Sequence, residues 1–229
     1  MKKIVFFCLV IGFQYSFSKT TKLSKLDRYL GLSMGSNFAY ARMKSDNYNI
    51  STLLFPRLHA GLFYQAHPTI RYSIKLGAQY SAKGAHFKNE QIDYKLRVDY
   101  INVFSLGTFS IFSSKRKIDP YVAGGLYFGA AVGGNIRMLA NDEIYGVLRL
   151  TRENIASTDM GVKIGFGVNF KIKQNEKNER RAYKLQLQLL QSNSFFDSHA
   201  PNEESNHAFL GKRKLKAIES KVTFLIPIR

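Results

Sequence analysis

Five histidines, His59, His67, His86, His199 and His207, are the side chains of this 229-residue chain best suited to proton transfer or metal binding near neutral pH. Their spacing does not serve either task. No His-x-x-x-His pair puts two imidazoles on one metal, and no serine–histidine motif supplies a nucleophile with its base. A lipid-modifying enzyme would need a histidine with a nucleophile or carboxylate near a membrane rim, for which His86, or His199 beside Ser198, are the candidates. Solvated loop histidines are the simpler reading. The glycine-rich tract VAGGLYFGAAVGGN at 122–135 does not fit a phosphate loop either, because neither Gly129 nor Gly134 is followed by Lys-Ser or Lys-Thr. No catalytic residue, cofactor or metal is therefore expected.

Charge is the other chemical resource. The chain has 34 Lys and Arg against 16 Asp and Glu, a net charge of +18. One group of ionisable residues falls on one side of alternating segments: Arg57, Arg71, Lys75, Arg97, Asp99, Asp159, Lys163, Lys184, Glu219 and Lys221. Such a set, held inside a barrel, would be either a basic path for anions or a network of ion pairs that fills the space without orphaned charge. A second group is sequence-local: Lys19, Lys22, Lys25 and Arg28; Lys115, Arg116 and Lys117; Lys173, Lys177, Arg180 and Arg181. These would line one rim, solvated or against anionic headgroups or an acidic partner.

The elements that must position these charges follow a period of two. Eight segments alternate apolar with polar or small residues, at about 29–40, 57–66, 70–84, 95–112, 119–132, 159–171, 182–191 and 217–228. The clearest has Met160, Val162, Ile164, Phe166, Val168 and Phe170 interleaved with Asp159, Gly161, Lys163, Gly165, Gly167 and Asn169. The fourth blurs at Ile101 to Val103, where a bulge would restore the pattern. Each segment is long enough for the ~9–11 residues of a tilted transmembrane strand. Long connections alternate with short ones, as they do between the two ends of an outer-membrane barrel.

The start of the chain sharpens the choice of solvent. MKKIVFFCLVIGFQYSFS, residues 1–18, has two lysines, an apolar run and small residues before Lys19, the layout of a cleaved export signal. It contains Cys8, the only cysteine, so thiol chemistry would leave with it. Residues 19–28 would then be a periplasmic segment and 29–229 the barrel. Export argues against a nucleic-acid partner. The apolar set is expected to face lipid and the glycines of the opposite set to make room in a narrow lumen. Tyr40, Tyr64, Tyr72, Tyr80, Phe170 and Tyr183 stand near strand ends, where interfacial girdles form. The expected architecture is an all-β, eight-stranded antiparallel up-and-down transmembrane barrel, monomeric, in the outer membrane. Its expected partners are outer-membrane lipids and, through loops 133–158 and 192–216, another envelope protein.

Several stretches also resemble a known family. YLGLSMGSNF, RLHAGLFYQ, LGAQYSAKGA, LRVDYINV, DPYVAGGLYFG and STDMGVKIGFGVNF, in that order, are similar to the PorT-like outer membrane β-barrel proteins of the Bacteroidota. Tyr80 to Gly84 resembles that family's Tyr-Ser-x-Lys-Gly strand end. Val103 and Phe104 depart from it where its members usually carry proline, and Arg229 stands in place of a terminal aromatic. The resemblance implies the barrel type and a structural or interaction role in the envelope. Some members of the family are associated with type IX secretion; a small-solute pore and a lipid-modifying enzyme are the other functions to be weighed.

Overall fold

Where residues alternate between two environments, the extended chain satisfies both at once, because successive side chains leave a strand on opposite faces. The computed structural model describes residues 27–43, 51–53, 55–88, 93–112, 117–140, 143–150, 158–175, 178–195 and 213–228. Within them lie ten strands: β1 (Asp27–Met43), β2 (Ser51–Leu53), β3 (Phe55–His67), β4 (Tyr72–Lys88), β5 (Asp93–Ser110), β6 (Ile118–Ala140), β7 (Glu143–Arg149), β8 (Thr158–Asn175), β9 (Asn178–Ser194) and β10 (Arg213–Ile228). The proposed signal at residues 1–18 lies outside the described residues.

Eight of the strands form a closed antiparallel ring. β1 pairs with β3, and the order continues through β4, β5, β6, β8 and β9 to β10, which pairs back onto β1 from Arg28↔Ile228 to Met43↔Arg213. Closure removes the sheet edges, so in the ring every strand has a partner on both sides. The two short strands are additions at one end. β2 pairs with β4 at Ser51↔Lys88 to Leu53↔His86, and β7 folds back on β6 as a hairpin at Asn135↔Arg149 to Ala140↔Glu143.

Leu32, Met34, Leu62, Leu76, Ile101, Val103, Phe128, Ile164, Phe166 and Val222 all point outward and are exposed. A belt of this size would not be tolerated in water, and no helix among the described residues is long and apolar enough to cross a membrane. A lipid-facing barrel wall accounts for it.

The strands run well past that belt, β6 for 23 residues. Residues 85–88 and 93–94, which lie between the third and fourth alternating segments, and much of loop 133–158 are therefore strand. The reason shows in β5, whose burial alternates without a break from Asp93 to Ser110. In its lower half Ile101, Val103 and Phe109 face out. In its upper half the apolar residues Tyr94, Leu96, Val98 and Tyr100 face in, and Lys95, Arg97 and Asp99 face out. Backbone phase is kept while side-chain polarity inverts, as required where the outer solvent changes from lipid to water. The blur at Ile101 to Val103 marks that boundary and not a bulge in β5. The register shift instead lies in β6, where Asp99↔Gly133 and Tyr100↔Ala131 leave Val132 unmatched.

The boundary can be tested with two residues of equal exposure. Phe166 is 60% exposed within the belt and Val147 is 62% exposed in the β6–β7 hairpin above it. Phe166→Arg is expected to destabilise the barrel in lipid by about 2–4 kcal/mol, and Val147→Arg by roughly zero. Urea unfolding in lipid vesicles checks both; equal losses would place the hairpin in the bilayer.

Candidate functional site

The interior of the ring is where the chain's buried charge collects. Side chains reach it from alternate residues of every ring strand, and three levels can be distinguished. At the level nearest the short turns, Ser73 Oγ and Thr108 Oγ1 are 2.5 Å apart and Gln65 Nε2 donates to Ser73 Oγ at 2.8 Å. There Lys75 Nζ donates to Gln186 Oε1 at 2.9 Å and sits 5.3 Å over the Phe63 ring and 4.9 Å over that of Tyr121. Asp119 accepts from Ser110 Oγ at 2.8 Å.

At mid-barrel, Lys163 Nζ lies 2.7 Å from Glu219 Oε1 and donates to Oε2 at 2.9 Å, while Lys221 Nζ is 2.8 Å from Oε2. Lys221 Nζ also donates to Gln79 Oε1 at 2.7 Å. One carboxylate thus ties β8 to β10, and through Lys221 and Gln79 the tie extends across the interior to β4. Above it, Lys83 Nζ pairs with Asp159 Oδ2 at 2.5 Å and donates to the Tyr127 hydroxyl at 3.1 Å, and that hydroxyl donates to Asp159 Oδ1 at 3.2 Å. The inner face then turns apolar, with Ala85, Tyr94, Leu96, Val98, Tyr100, Ile136 and Leu150 packed together.

Among the described residues five buried lysines, Lys75, Lys83, Lys163, Lys184 and Lys221, share this interior with three buried carboxylates, Asp119, Asp159 and Glu219. Aromatic faces supply part of the missing negative potential. Lys184 Nζ lies 4.4 Å over the Tyr29 ring, and Lys83 Nζ 4.4 Å over that of Tyr127. Large rings fit because glycines stand opposite them. A Cβ at Gly31 or Gly77 would overlap Phe63, one at Gly161 would come within 2.9 Å of the Tyr127 ring, and one at Gly167 would meet the Tyr121 hydroxyl at 2.5 Å.

Of the ten ionisable residues expected to line the lumen, the structure brings six together on the inner face: Lys75, Asp159, Lys163, Lys184, Glu219 and Lys221. Four need correction. Arg71 is exposed in the turn before β4, where its carbonyl accepts from Ser110 N at 2.7 Å; the alternation it was counted into begins only at Tyr72. Arg97 and Asp99 lie on the outer face of β5, for the reason given by its inversion, with Arg97 Nε donating to Asp99 Oδ1 at 2.8 Å. Arg57 is half-buried on β3. Its pairing with Asn37 of β1, in a register unbroken from Ala39↔Phe55 to Gly35↔His59, keeps it in the inward phase of β3, but at a level where the interior leaves it half-buried.

Lys83 went the other way. It stands at the strand end that the family resemblance marks and was not among the expected lumen residues, yet β4 continues to Lys88 and Lys83 is buried inside. Its even spacing from Lys75 and Gln79 was the available signal.

The six expected girdle aromatics are distributed as follows. Tyr64 and Tyr183 are exposed on the outer face, Tyr183 stacked on Phe224 at 5.8 Å; Tyr72, Tyr80 and Phe170 are half-buried there; the Tyr40 side chain lies outside the described ones. The histidines are not gathered. His59 is buried inside, His67 lies edge-on to Tyr29 at 5.5 Å, and His86 Nε2 is 2.8 Å from Asp93 Oδ1 on the β4–β5 extension. Partial burial raises the proton affinity of Asp93, but the His86 contact and Lys88 outweigh it and hold the carboxyl below its ordinary range. His199 and His207 fall outside the described residues. Among the described residues no three His, Cys, Asp or Glu side chains are placed to hold a metal ion.

No curated protein matches the sequence. Among solved structures, Neisserial surface protein A (NspA) is similar at 9% identity and a TM-score of 0.48, covering 90% of this chain and 100% of that one. The outer membrane protein OprG of Pseudomonas aeruginosa follows at 10% identity and 0.44, covering 88% and 92%. Ail, the attachment invasion locus protein of Yersinia pestis, has 11% identity and 0.40, covering 86% and 98%. The sequence itself matches the family described as outer membrane protein beta-barrel domain over residues 14–200. With that match over most of its length, a closed eight-stranded ring and an outward apolar belt, the chain belongs to the outer membrane protein beta-barrel domain family and resides in the outer membrane.

Proposed function

We propose that this barrel is a non-conducting structural or interaction component of the envelope, of the PorT-like kind its motifs resemble, and that its interior is a plug and not a pathway. The observation that carries the reading is the linkage Lys163–Glu219–Lys221–Gln79, which spans the interior at mid-height with all four side chains buried. An ion crossing there would have to break contacts that are costly to break singly, because each leaves a charge without its partner. The inner face also carries more lysines than carboxylates, which would suit anions, so anion conductance is the result that would defeat the proposal. Purified protein in planar bilayers is expected to show no stable, reproducible conductance.

The reading assigns no catalysis and no metal to the chain. Contact with other envelope proteins would fall to the end that carries β2, the β6–β7 hairpin and the longer connections. Affinity isolation from solubilised outer membrane tests that part: a reproducible secretion component would move the assignment toward type IX secretion, and a lone barrel toward a structural role.

A further inference from the structure

Outside the barrel, the wall formed by β3 to β6 carries a patch that the plugged interior does not explain. Just above the apolar belt, pairing aligns Lys95 with Arg137, and Arg97 with Asn135, which in turn pairs with Arg149. All face outward. Asp99 is the carboxylate at the centre. It accepts from Arg97 Nε and from the Tyr80 hydroxyl, each at 2.8 Å, and Arg97 Nη2 donates to that hydroxyl at 2.9 Å, which holds the Arg97 guanidinium in one orientation. The next carboxylate up the wall, Asp93, is engaged by His86 and Lys88.

The patch is local. On the far wall Gln191 and Asn193 face outward without charge, and the described charge there is Lys216, paired with Asn193. Directly below it are Leu58, Ile101 and Val132, all exposed toward lipid. A ligand meeting both surfaces must have acyl chains below and an anion above. Guanidinium groups in a fixed fork suit phosphate in particular.

We propose that this wall is a binding site for a phosphorylated lipid of the outer leaflet, its phosphate held between Arg97 and Arg137 and its acyl chains lying on the belt beneath. The site is on the outside of the barrel and stands or falls independently of whether the lumen conducts.

The full chain in detergent would be equilibrated with diphosphoryl lipid A or with fully dephosphorylated lipid A, and lipid retention read by native mass spectrometry. The diphosphoryl form is expected to be retained and the dephosphorylated form not. The double variant Arg97→Gln/Arg137→Gln should lower retention about tenfold or more, and the single variant Arg137→Gln, at an exposed position, should lower it in part without repacking. Lys88→Gln, higher on the same wall, should leave it unchanged. The folded and heat-denatured bands on a gel establish that each variant is a barrel. Equal retention of dephosphorylated lipid, or no loss in folded Arg137→Gln and double-variant protein, would overturn the proposal. So would displacement of lipid A by millimolar inorganic phosphate, which would mark a site for free anion.

Discussion

Glu219→Ala is expected to destabilise the barrel by about 3–5 kcal/mol, among the largest effects available to a single substitution here. Glu219 is fully buried, and its carboxylate is the counter-charge of both Lys163 and Lys221. Removing it leaves two ammonium groups facing each other in an interior lined by Phe104, Tyr127 and Leu190. The loss is therefore a desolvation cost and not the value of one ion pair. The triple variant Lys163→Met/Glu219→Leu/Lys221→Met separates the two, since replacing a whole buried ionic group by apolar side chains is often neutral. It should recover most of the stability, less about 1 kcal/mol for Gln79 Oε1, which loses its donor Lys221. Urea titration in lipid vesicles measures both variants. A loss below about 1 kcal/mol for Glu219→Ala would mean that water solvates the lysines as at a surface, and would count against the plug as well.

Gly35→Ala should disrupt closure of the ring through a single methyl group. Gly35 faces inward on β1, opposite Lys221 of β10 and His59 of β3. A Cβ there would overlap the Ser220 carbonyl oxygen and lie 2.9 Å from its carbon and 2.8 Å from His59 Nε2. The first two are backbone atoms of the strand that closes the barrel, so relief requires moving β1 and β10 apart. The expected loss is about 1–3 kcal/mol, larger for Gly35→Val, with a lower yield of the folded band. Gly124 is the control. It faces outward with nothing within 4 Å of an added Cβ, and Gly124→Ala should change stability by less than about 0.5 kcal/mol. Gly31→Ala falls between them, because its obstacle is the far end of the Phe63 ring, and Phe63→Leu should rescue it. Equal behaviour of Gly35→Ala and Gly124→Ala would show that the seam is not tightly packed.

Much of this architecture was legible in the residues. Met160 to Phe170 names its own strand, because alternation is a property of the local backbone and survives whatever surrounds it. The glycines opposite that apolar set indicated a crowded interior, and Gly31, Gly77 and Gly167 do stand against Phe63 and Tyr121. Less legible was the reach of the strands. Alternation was counted with apolar residues outward, and this criterion fails above Ile101 although the strand does not. Arg97 and Asp99 fall to the lumen for that one reason, and Lys83 is missed from it.

Local sequence, then, determines the period, the number of ring strands and the presence of two solvents, since each depends on neighbours two residues apart. Which charges meet was decided only by tertiary structure. Lys221 and Gln79 are 142 positions apart, and Lys83 and Asp159 are 76. Their contacts depend on the register of every strand between them around the ring. A slip of one residue would move a side chain from the interior to the wall. The outer arginine patch has the same origin, because Arg97 and Arg137 become one site only when β5 and β6 pair in this register.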